Sequence, residues 1–331
     1  HAGLSGIFLK EGFPTSGNDM QAALLMTVLA KCKMSVIIIP EIAAQKTMVN
    51  YHKTWRLINS GPGSASYNMA LDEAIAISVR KGSSPPALRL YSWDRPSVTL
   101  GCFQKISDID TEYCRDASIP VVRRPTGGRA ILHNKELTYS FSVKTDNDLF
   151  SKGIFDSYKK ISAAFYLALS KIGLLPELKL IRETRHLSLI THHSKSPLCF
   201  QSASYGEITI NGKKVIGSAQ KRWTDGLLQQ GSIPYCIDEP EVLKIFRLHS
   251  VRDIKDAMAG LMEAVPDLSD EKFRNIVKIS FEEAFNIEFI SALPSQEEEV
   301  LAQELDYEKY RTEEWNFRKQ VQSPHQAFQR A

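Results

Sequence analysis

Long apolar runs, paired cysteines and a strong charge of either sign are all missing from this chain. Its two early apolar stretches, Ala22–Ala30 and Val36–Ile39, are divided by Lys31 and Lys33 and stopped by Pro40. Both fall short of the roughly 18 residues a membrane span needs, so no membrane partner is expected. Residues 1–47 also lack a clean basic n-region followed by a small-residue cleavage site, and a secretory signal is not supported. The five cysteines, Cys32, Cys102, Cys114, Cys199 and Cys236, stand far apart, and their odd number leaves at least one thiol outside any disulfide. That spacing excludes a cysteine-held zinc site, and the pair His192-His193 reads as part of a polar loop rather than a ligand set. No metal is expected, and a reducing, cytoplasmic compartment fits best. With 41 basic against 38 acidic residues, the net charge of +3 is too mild to indicate a nucleic-acid partner. No internal repeat is visible.

What remains is an ordinary globular composition: 331 residues, 43% hydrophobic and 24% charged. That is enough to bury a sizeable core. Residues 1–47 show no sustained periodicity and are read as an extension outside the fold, with Met48 as the start of the folded part. Trp55-Arg56-Leu57-Ile58 predicts a first strand. Asn68 is the expected cap of a helix running to about Lys81, with Asp72 and Glu73 in its first turn and Gly82 at its end. Strands follow at Ala87–Trp93, Ser97–Cys102 and Ile119–Arg124, with a polar helix near Asp108–Ala117 and another strand at Leu137–Val143.

The spacing of Phe155, Tyr158, Ile161, Phe165, Ala168 and Ile172 predicts a core helix capped at Gly173. Residues 179–198 read as a surface loop. Asn211-Gly212 between Glu207–Ile210 and Lys213–Ala219 is a strong hairpin signal, with Leu227–Tyr235 as a third strand of the same meander. Beyond Glu239 the pattern is helical. Phe273, Ile276, Val277, Phe281, Ala284 and Phe285 share one face, and Ser295 with Glu298 forms a capping box. Strands early and helices late predict an α+β fold with a mixed, largely antiparallel sheet and packed helices.

Chemistry concentrates in three places. Arg123-Arg124-Pro125-Thr126-Gly127-Gly128-Arg129-Ala130-Ile131-Leu132-His133 sets arginines and a histidine around a glycine pair, where a ligand can approach bare backbone. Arginines there suit an anion or a polarised carbonyl. Cys199 is a good acyl acceptor, and a lysine nearby, such as Lys214, favours the thiolate and polarises a carbonyl. Taken singly, each has a plainer explanation: a tight turn, a buried thiol, a solvated strand lysine, a hydrogen-bonded histidine.

Together they carry a resemblance. The Arg123–His133 stretch, Glu136-Leu137-Thr138-Tyr139-Ser140 and Lys214-Val215-Ile216-Gly217-Ser218-Ala219-Gln220 resemble the biotin/lipoate protein ligase and octanoyltransferase superfamily. Asn68-Met69-Ala70-Leu71-Asp72-Glu73 resembles its opening and Tyr310-Arg311-Thr312-Glu313-Glu314-Trp315-Asn316 its ending. Cys199-Phe200 ahead of the hairpin is similar to the Gram-positive, LipM-type octanoyltransferases. The resemblance implies one catalytic domain over residues 48–331, with a helical C-terminal part. It implies octanoyl transfer from octanoyl-acyl carrier protein, through a Cys199 thioester, to one lysine of a lipoyl domain or glycine-cleavage H protein, with no cofactor. In that picture Cys199 and Lys214 are catalytic. Arg123, Arg124, Thr126, Gly127, Gly128, Arg129, His133, Gly217, Ser218 and Ala219 bind substrate, the arginines also steering acidic carriers and His133 serving proton transfer or loop support. Two rivals stay open: an ATP-dependent lipoate–protein ligase, which needs no Cys199, and a non-catalytic module that grips a carrier domain.

Overall fold

Alternation along one strand explains the architecture best. In Glu136–Lys144 (β6), Leu137, Tyr139, Phe141 and Val143 point one way and Glu136, Thr138, Ser140 and Ser142 the other, yet all eight are buried. Both faces are therefore covered, and the sheet is the middle layer of three. The computed structural model describes residues 53–146, 149–179 and 206–318, all within one compact unit, His52–Ala331. Residues 1–47, the predicted loop up to residue 198 beyond Lys179, and Cys199 lie outside the described residues.

The main sheet has the order β10-β11-β6-β2-β1-β12. Its strands are Lys53–Gly63 (β1), Ala87–Trp93 (β2), β6, Gly217–Arg222 (β10), Gly226–Pro234 (β11) and Ile287–Ser291 (β12). β1 runs parallel to β2 and β12; the other pairings are antiparallel, as the mixed-sheet expectation requires. The apolar face of β6 packs with Trp55 and Leu57 under helices Ile154–Lys171 and Asp270–Phe285, through Ile161, Phe165, Phe273, Val277, Phe281 and Phe285. Each such side chain taken out of water contributes about 1.5–3 kcal/mol. The opposite face is covered by Ala65–Lys81 (α1) and Gln296–Leu305, through Leu71, Ala74, Ile75, Val79 and Ala302.

Two smaller sheets carry several of the candidate residues. In one, Val121–Arg123 (β4) and Ile131–His133 (β5) flank Ser97–Leu100 (β3), parallel and antiparallel respectively. The glycine loop between β4 and β5 must therefore cross the end of β3. In the other, Glu177–Leu178 (β7), Ile208–Ile210 (β8) and Lys213–Lys214 (β9) form a hairpin sheet. Its turn, Asn211 and Gly212, has φ of 51° and 76°, the left-handed pair expected of that dipeptide.

Four expectations change. Asn68 does not cap α1; Ser64 does, its hydroxyl accepting from the Tyr67 N–H, and no acidic residue lies in the first turn. Asn68 is inside the helix and donates to the Gly63 and Ser92 carbonyls, because a buried amide finds backbone partners there. The predicted strand Lys213–Ala219 breaks after Lys214: β9 stays in the small sheet and β10 joins the main one. The helical reading beyond Glu239 omitted β12, whose Ile287 and Phe289 pack under the sheet from an edge position. Finally, Ile172 rather than Gly173 is the cap residue of the 154–171 helix, Gly173 taking the left-handed φ of 85° just after it.

Candidate functional site

The loop from Arg124 to Ala130 is held from beneath by the two arginines that precede it. Arg124 is buried and donates from Nη2 to the carbonyls of Gly127 (2.6 Å) and Arg129 (2.8 Å), folding the loop around its own guanidinium. Its Nη1 reaches the Thr99 hydroxyl at 3.2 Å. Arg123 is also buried, and burial holds its guanidinium below the ordinary value. It donates to the carbonyls of Gly101, Gln104, Trp315 and Asn316. The Arg123 backbone N–H donates to Asn316 Oδ1 (2.8 Å), and Trp315 Nε1 donates to the Arg123 carbonyl (2.7 Å), so the C-terminal segment clasps β4. The expected steering of acidic carriers meets two guanidinium groups that are buried, Arg123 on backbone carbonyls and Arg124 on carbonyls and the Thr99 hydroxyl. Among the three arginines only Arg129 is partly exposed.

The glycines differ in purpose. Gly128 has φ of 86°, and a Cβ there would stand 2.8 Å from Arg124 Nη2. Gly101, unmarked by the sequence reading, lies where the loop crosses β3; a Cβ would meet the Gly128 carbonyl oxygen at 1.9 Å. At Gly127 a Cβ would meet no described atom within 4 Å, so its bareness serves nothing inside the described chain.

Thr126 ties the loop to the sheet. Its hydroxyl donates to Gln230 Oε1 (2.9 Å), and Gln230 Nε2 donates to Asp72 (2.7 Å). Asp72, fully buried on α1, also accepts from Arg89 (2.7 Å), Tyr91 (2.8 Å) and Ser140 (2.6 Å). Burial and the Asp72 charge drive the Tyr91 phenol well above its ordinary value, fixing it as a donor.

His133 sits in a second such cluster. Its ring stacks on Trp93 at 4.1 Å, with Nδ1 2.7 Å from Glu136 and Nε2 2.8 Å from the Thr99 hydroxyl. Glu136 also accepts from Thr138 and Ser232. Glu136 anchors Nδ1, and Nε2 shares a hydrogen bond with the Thr99 hydroxyl, which also accepts from Arg124. Both ring nitrogens are thereby used. Through Thr99 and Arg124 the ring is tied to the loop.

The structure brings the glycine loop against β10. A Cβ on Gly128 would lie 3.5 Å from that of Ala219. Ser218 is held by Tyr139 (2.8 Å) and, at its carbonyl, by Tyr158 (2.9 Å). Burial pushes the Tyr139 hydroxyl up to about 12. Arg124, His133, Ala219, Met69, Tyr91 and Gln230 are among the residues lining a narrow cavity of only about 20 Å³. A larger hollow of about 340 Å³ by Lys53, Trp55 and Lys144 is lined by none of the candidate residues. Lys214 lies three residues before Gly217, so their Cα atoms are at most about 11 Å apart. It is 1% exposed and its Nζ is 2.5 Å from Glu207 Oε1, an ion pair the sequence reading did not assign.

Of the described cysteines, Cys114 is buried and its thiol is pushed up to about 11, mainly by burial, which makes it a poor nucleophile. Cys102 is buried beneath the loop, its N–H donating to the Thr126 carbonyl (2.8 Å). Among the described residues no group of three or more His, Cys, Asp or Glu is placed to hold a metal, and no helix is long and apolar enough to cross a membrane.

Residues 64–286 match the family model of the lipoyl protein ligase A/B catalytic domain. An octanoyltransferase LipM from Carboxydothermus hydrogenoformans is 36% identical over 275 residues, covering 80% of this chain and 99% of its own. One from Clostridioides difficile is 38% identical over 275 residues, covering 79% and 98%. A putative lipoate protein ligase from T. acidophilum, solved with bound lipoic acid, matches with a TM-score of 0.68 at 26% identity, over 81% of this chain and 100% of that one.

Proposed function

The chain belongs to the lipoyl protein ligase A/B catalytic-domain family and is an octanoyltransferase, and from that premise we propose a two-step transfer through Cys199. In the first step the Cys199 thiolate attacks the thioester carbonyl of octanoyl-acyl carrier protein. A new sulfur–carbon bond forms and the carrier's thiolate leaves, taking up a proton. In the second, the neutral amine of an acceptor lysine attacks the Cys199 thioester, the amide forms, the amine loses its extra proton and Cys199 is released as thiolate. Because the donor is already a thioester, no ATP is consumed. Acceptors are lipoyl domains or glycine-cleavage H protein, and the compartment is the cytoplasm.

Lys214 is assigned the acyl carbonyl, where a fixed ammonium in a water-poor site stabilises the developing oxyanion. The loop Thr126–Arg129 and the strand Gly217–Ala219 form the walls along which the acyl chain lies, and partly exposed Arg129 faces the carriers. Each methylene taken out of water there adds about 0.8 kcal/mol, so the depth of the cavity sets chain-length preference. The observation that carries this reading is the likeness to octanoyltransferases over about four-fifths of the chain, in a sequence that has a cysteine ahead of the Lys214 hairpin.

The test is intact-mass analysis after incubation with octanoyl-acyl carrier protein and no ATP. One octanoyl mass is expected on the wild type and on Cys102→Ser, and none on Cys199→Ser. An adduct that survives Cys199→Ser and disappears in Cys102→Ser would move the nucleophile to the buried thiol under the loop. Modification of a lipoyl domain that requires ATP and free acid would favour the ligase reading instead.

A further inference from the structure

The two walls of the proposed acyl site belong to different sheets. The glycine loop joins β4 to β5 of a small sheet, whereas Gly217–Ala219 lies on β10 of the main one. Arg124 and the Cys102 N–H fasten the loop to its own side. The Thr126–Gln230 bond crosses to the main sheet at the loop itself. His133 and Glu136 also join the two sheets, but at the connection from β5 to β6. Glu136 is four positions along β6, about 13 Å, from Ser140, the strand partner of Gln230.

Gln230 stands in a cross-strand row of Arg89, Ser140, Gln230 and Ala219, on β2, β6, β11 and β10. Asp72 of α1 lies over that row. It accepts from Arg89 and Ser140 at Oδ1 and from Tyr91 and Gln230 at Oδ2. The same amide nitrogen meets Met69 Sδ at 3.4 Å. With Nε2 held on Asp72, the amide oxygen is turned to the loop, where it accepts from the Thr126 hydroxyl. Thr126 and Asp72 are fully buried and Gln230 is 5% exposed. Burying and ordering a glutamine where an apolar side chain would pack costs desolvation and rotamer freedom, so stability is a weak reason for it. What the amide supplies is direction and length.

We propose that Gln230 is a positioning residue for acyl transfer: anchored on Asp72 and bonded to Thr126, it fixes the height of the glycine loop over Ala219, its own strand partner, and so the spacing of the two walls that hold the acyl group. This rests on the transferase reading above. A Cβ on Gly128 would already touch that of Ala219, at 3.5 Å, so the walls stand close enough for a shift of about 1 Å to matter.

The experiment is a double-mutant cycle on the full chain. It follows Cys199 acylation by octanoyl-acyl carrier protein as intact mass against time and donor concentration, with thermal melts and amide exchange of every variant. Gln230→Met keeps the length of the side chain but neither bond. It is expected to slow acylation by about tenfold or more. The donor concentration at half-maximal rate should change less than about threefold, since the bond lies in the interior, away from the surface a carrier meets. Thr126→Val should be slow as well, and Thr126→Ser, which restores the hydroxyl, should recover part of that loss. Thr126→Val added to Gln230→Met should cost no further rate, because the bond is already gone. Exchange should quicken at Cys102, whose N–H is bonded to the Thr126 carbonyl.

Additive rate losses in the double variant would overturn the proposal, as would losses that merely follow melting temperature, a Thr126→Ser as slow as Thr126→Val, or unchanged exchange at Cys102. Should Gln230→Met not fold, Gln230→Asn decides. It keeps the amide on an arm one carbon shorter, too short to hold Asp72 and Thr126 together, and a wild-type rate in it overturns the proposal. No adduct on the wild type would overturn the transferase reading and this proposal with it. A normal wild type with a fully active Gln230→Met would overturn the proposal only.

Discussion

Replacing the two loop glycines one at a time separates a glycine the fold requires from one the reaction requires. At Gly128 the backbone is left-handed, φ 86°, which costs an alanine about 1–2 kcal/mol. The added methyl also stands 2.8 Å from Arg124 Nη2, which cannot swing clear because it is bonded to the Gly127 and Arg129 carbonyls. Weakening one hydrogen bond to a charged group costs about 1.5–3 kcal/mol, and the smaller conformational freedom of the unfolded alanine chain returns about 0.4–1 kcal/mol. The net for Gly128→Ala is about 2–4 kcal/mol, a fall of about 10 °C in melting temperature for a domain of this size. At Gly127 the backbone is not left-handed and a methyl meets no described atom within 4 Å. Gly127→Ala should therefore melt within about 2 °C of the wild type. If substrate lies on that backbone, the same methyl displaces it, and the octanoylation rate should drop about tenfold or more. Circular-dichroism melts and intact-mass acylation rates measure both halves. A fully active Gly127→Ala would refute the idea that substrate covers the loop, and an unperturbed melt for Gly128→Ala would refute the loop geometry itself.

Asn316→Ala removes the partner of the Arg123 N–H and the Asn316 bond to the Tyr310 carbonyl. A loss of about 1–3 kcal/mol is expected, with a larger proportional fall in acyl transfer because the clasp sets the strand that delivers the loop. Asp72→Asn leaves Arg89 buried without its charge partner and should cost about 3–5 kcal/mol, read as a shifted denaturant midpoint. Acid sensitivity follows from Glu298. Burial alone would raise its carboxyl, but the Arg56 guanidinium and the Ser295 N–H outweigh burial and hold it below the ordinary value. Its stabilisation is therefore complete above the unfolded value of about 4.3 and is lost as pH falls through the lower folded value. Glu298→Gln should lower stability near neutrality and flatten its pH dependence below about pH 4; an unchanged acid slope in urea melts would contradict this assignment.

The elements were legible wherever a period repeated. The face Phe273, Val277, Phe281 and Phe285 is buried along the helix Asp270–Phe285 as its spacing requires, and Asn211-Gly212 turns the hairpin. The cap of α1 was not, because Asn68 is as good a capping residue as Ser64 in isolation. Only the fold shows that Asn68 reaches the Ser92 carbonyl, 24 positions away. The break after Lys214 was hidden for a similar reason. Val215 and Ile216 continue the apolar pattern of a strand, and nothing local says that the chain leaves one sheet for another there.

The polar residues of β6 were visible as an alternation, but alternation in an antiparallel strand usually marks a face open to water. Covering that face with α1 turns Glu136, Thr138 and Ser140 into fixed hydrogen-bonding partners, and whether a helix covers it is decided by contacts far along the chain. The arginines of the loop changed meaning for the same reason. Read alone, Arg123 and Arg124 are charges available to a ligand; in the fold their donors are aimed at carbonyls supplied by the 99–104 segment, the loop itself and residues 315–316. Glu207 was within reach of the sequence. Once Asn211-Gly212 is accepted as a two-residue turn, the register puts Glu207 diagonally across from Lys214, which makes a carboxylate available to that lysine. A hairpin register is thus enough to nominate the ion-pair partner of a buried lysine, whereas the clasp on Arg123 spans 193 positions and required the fold.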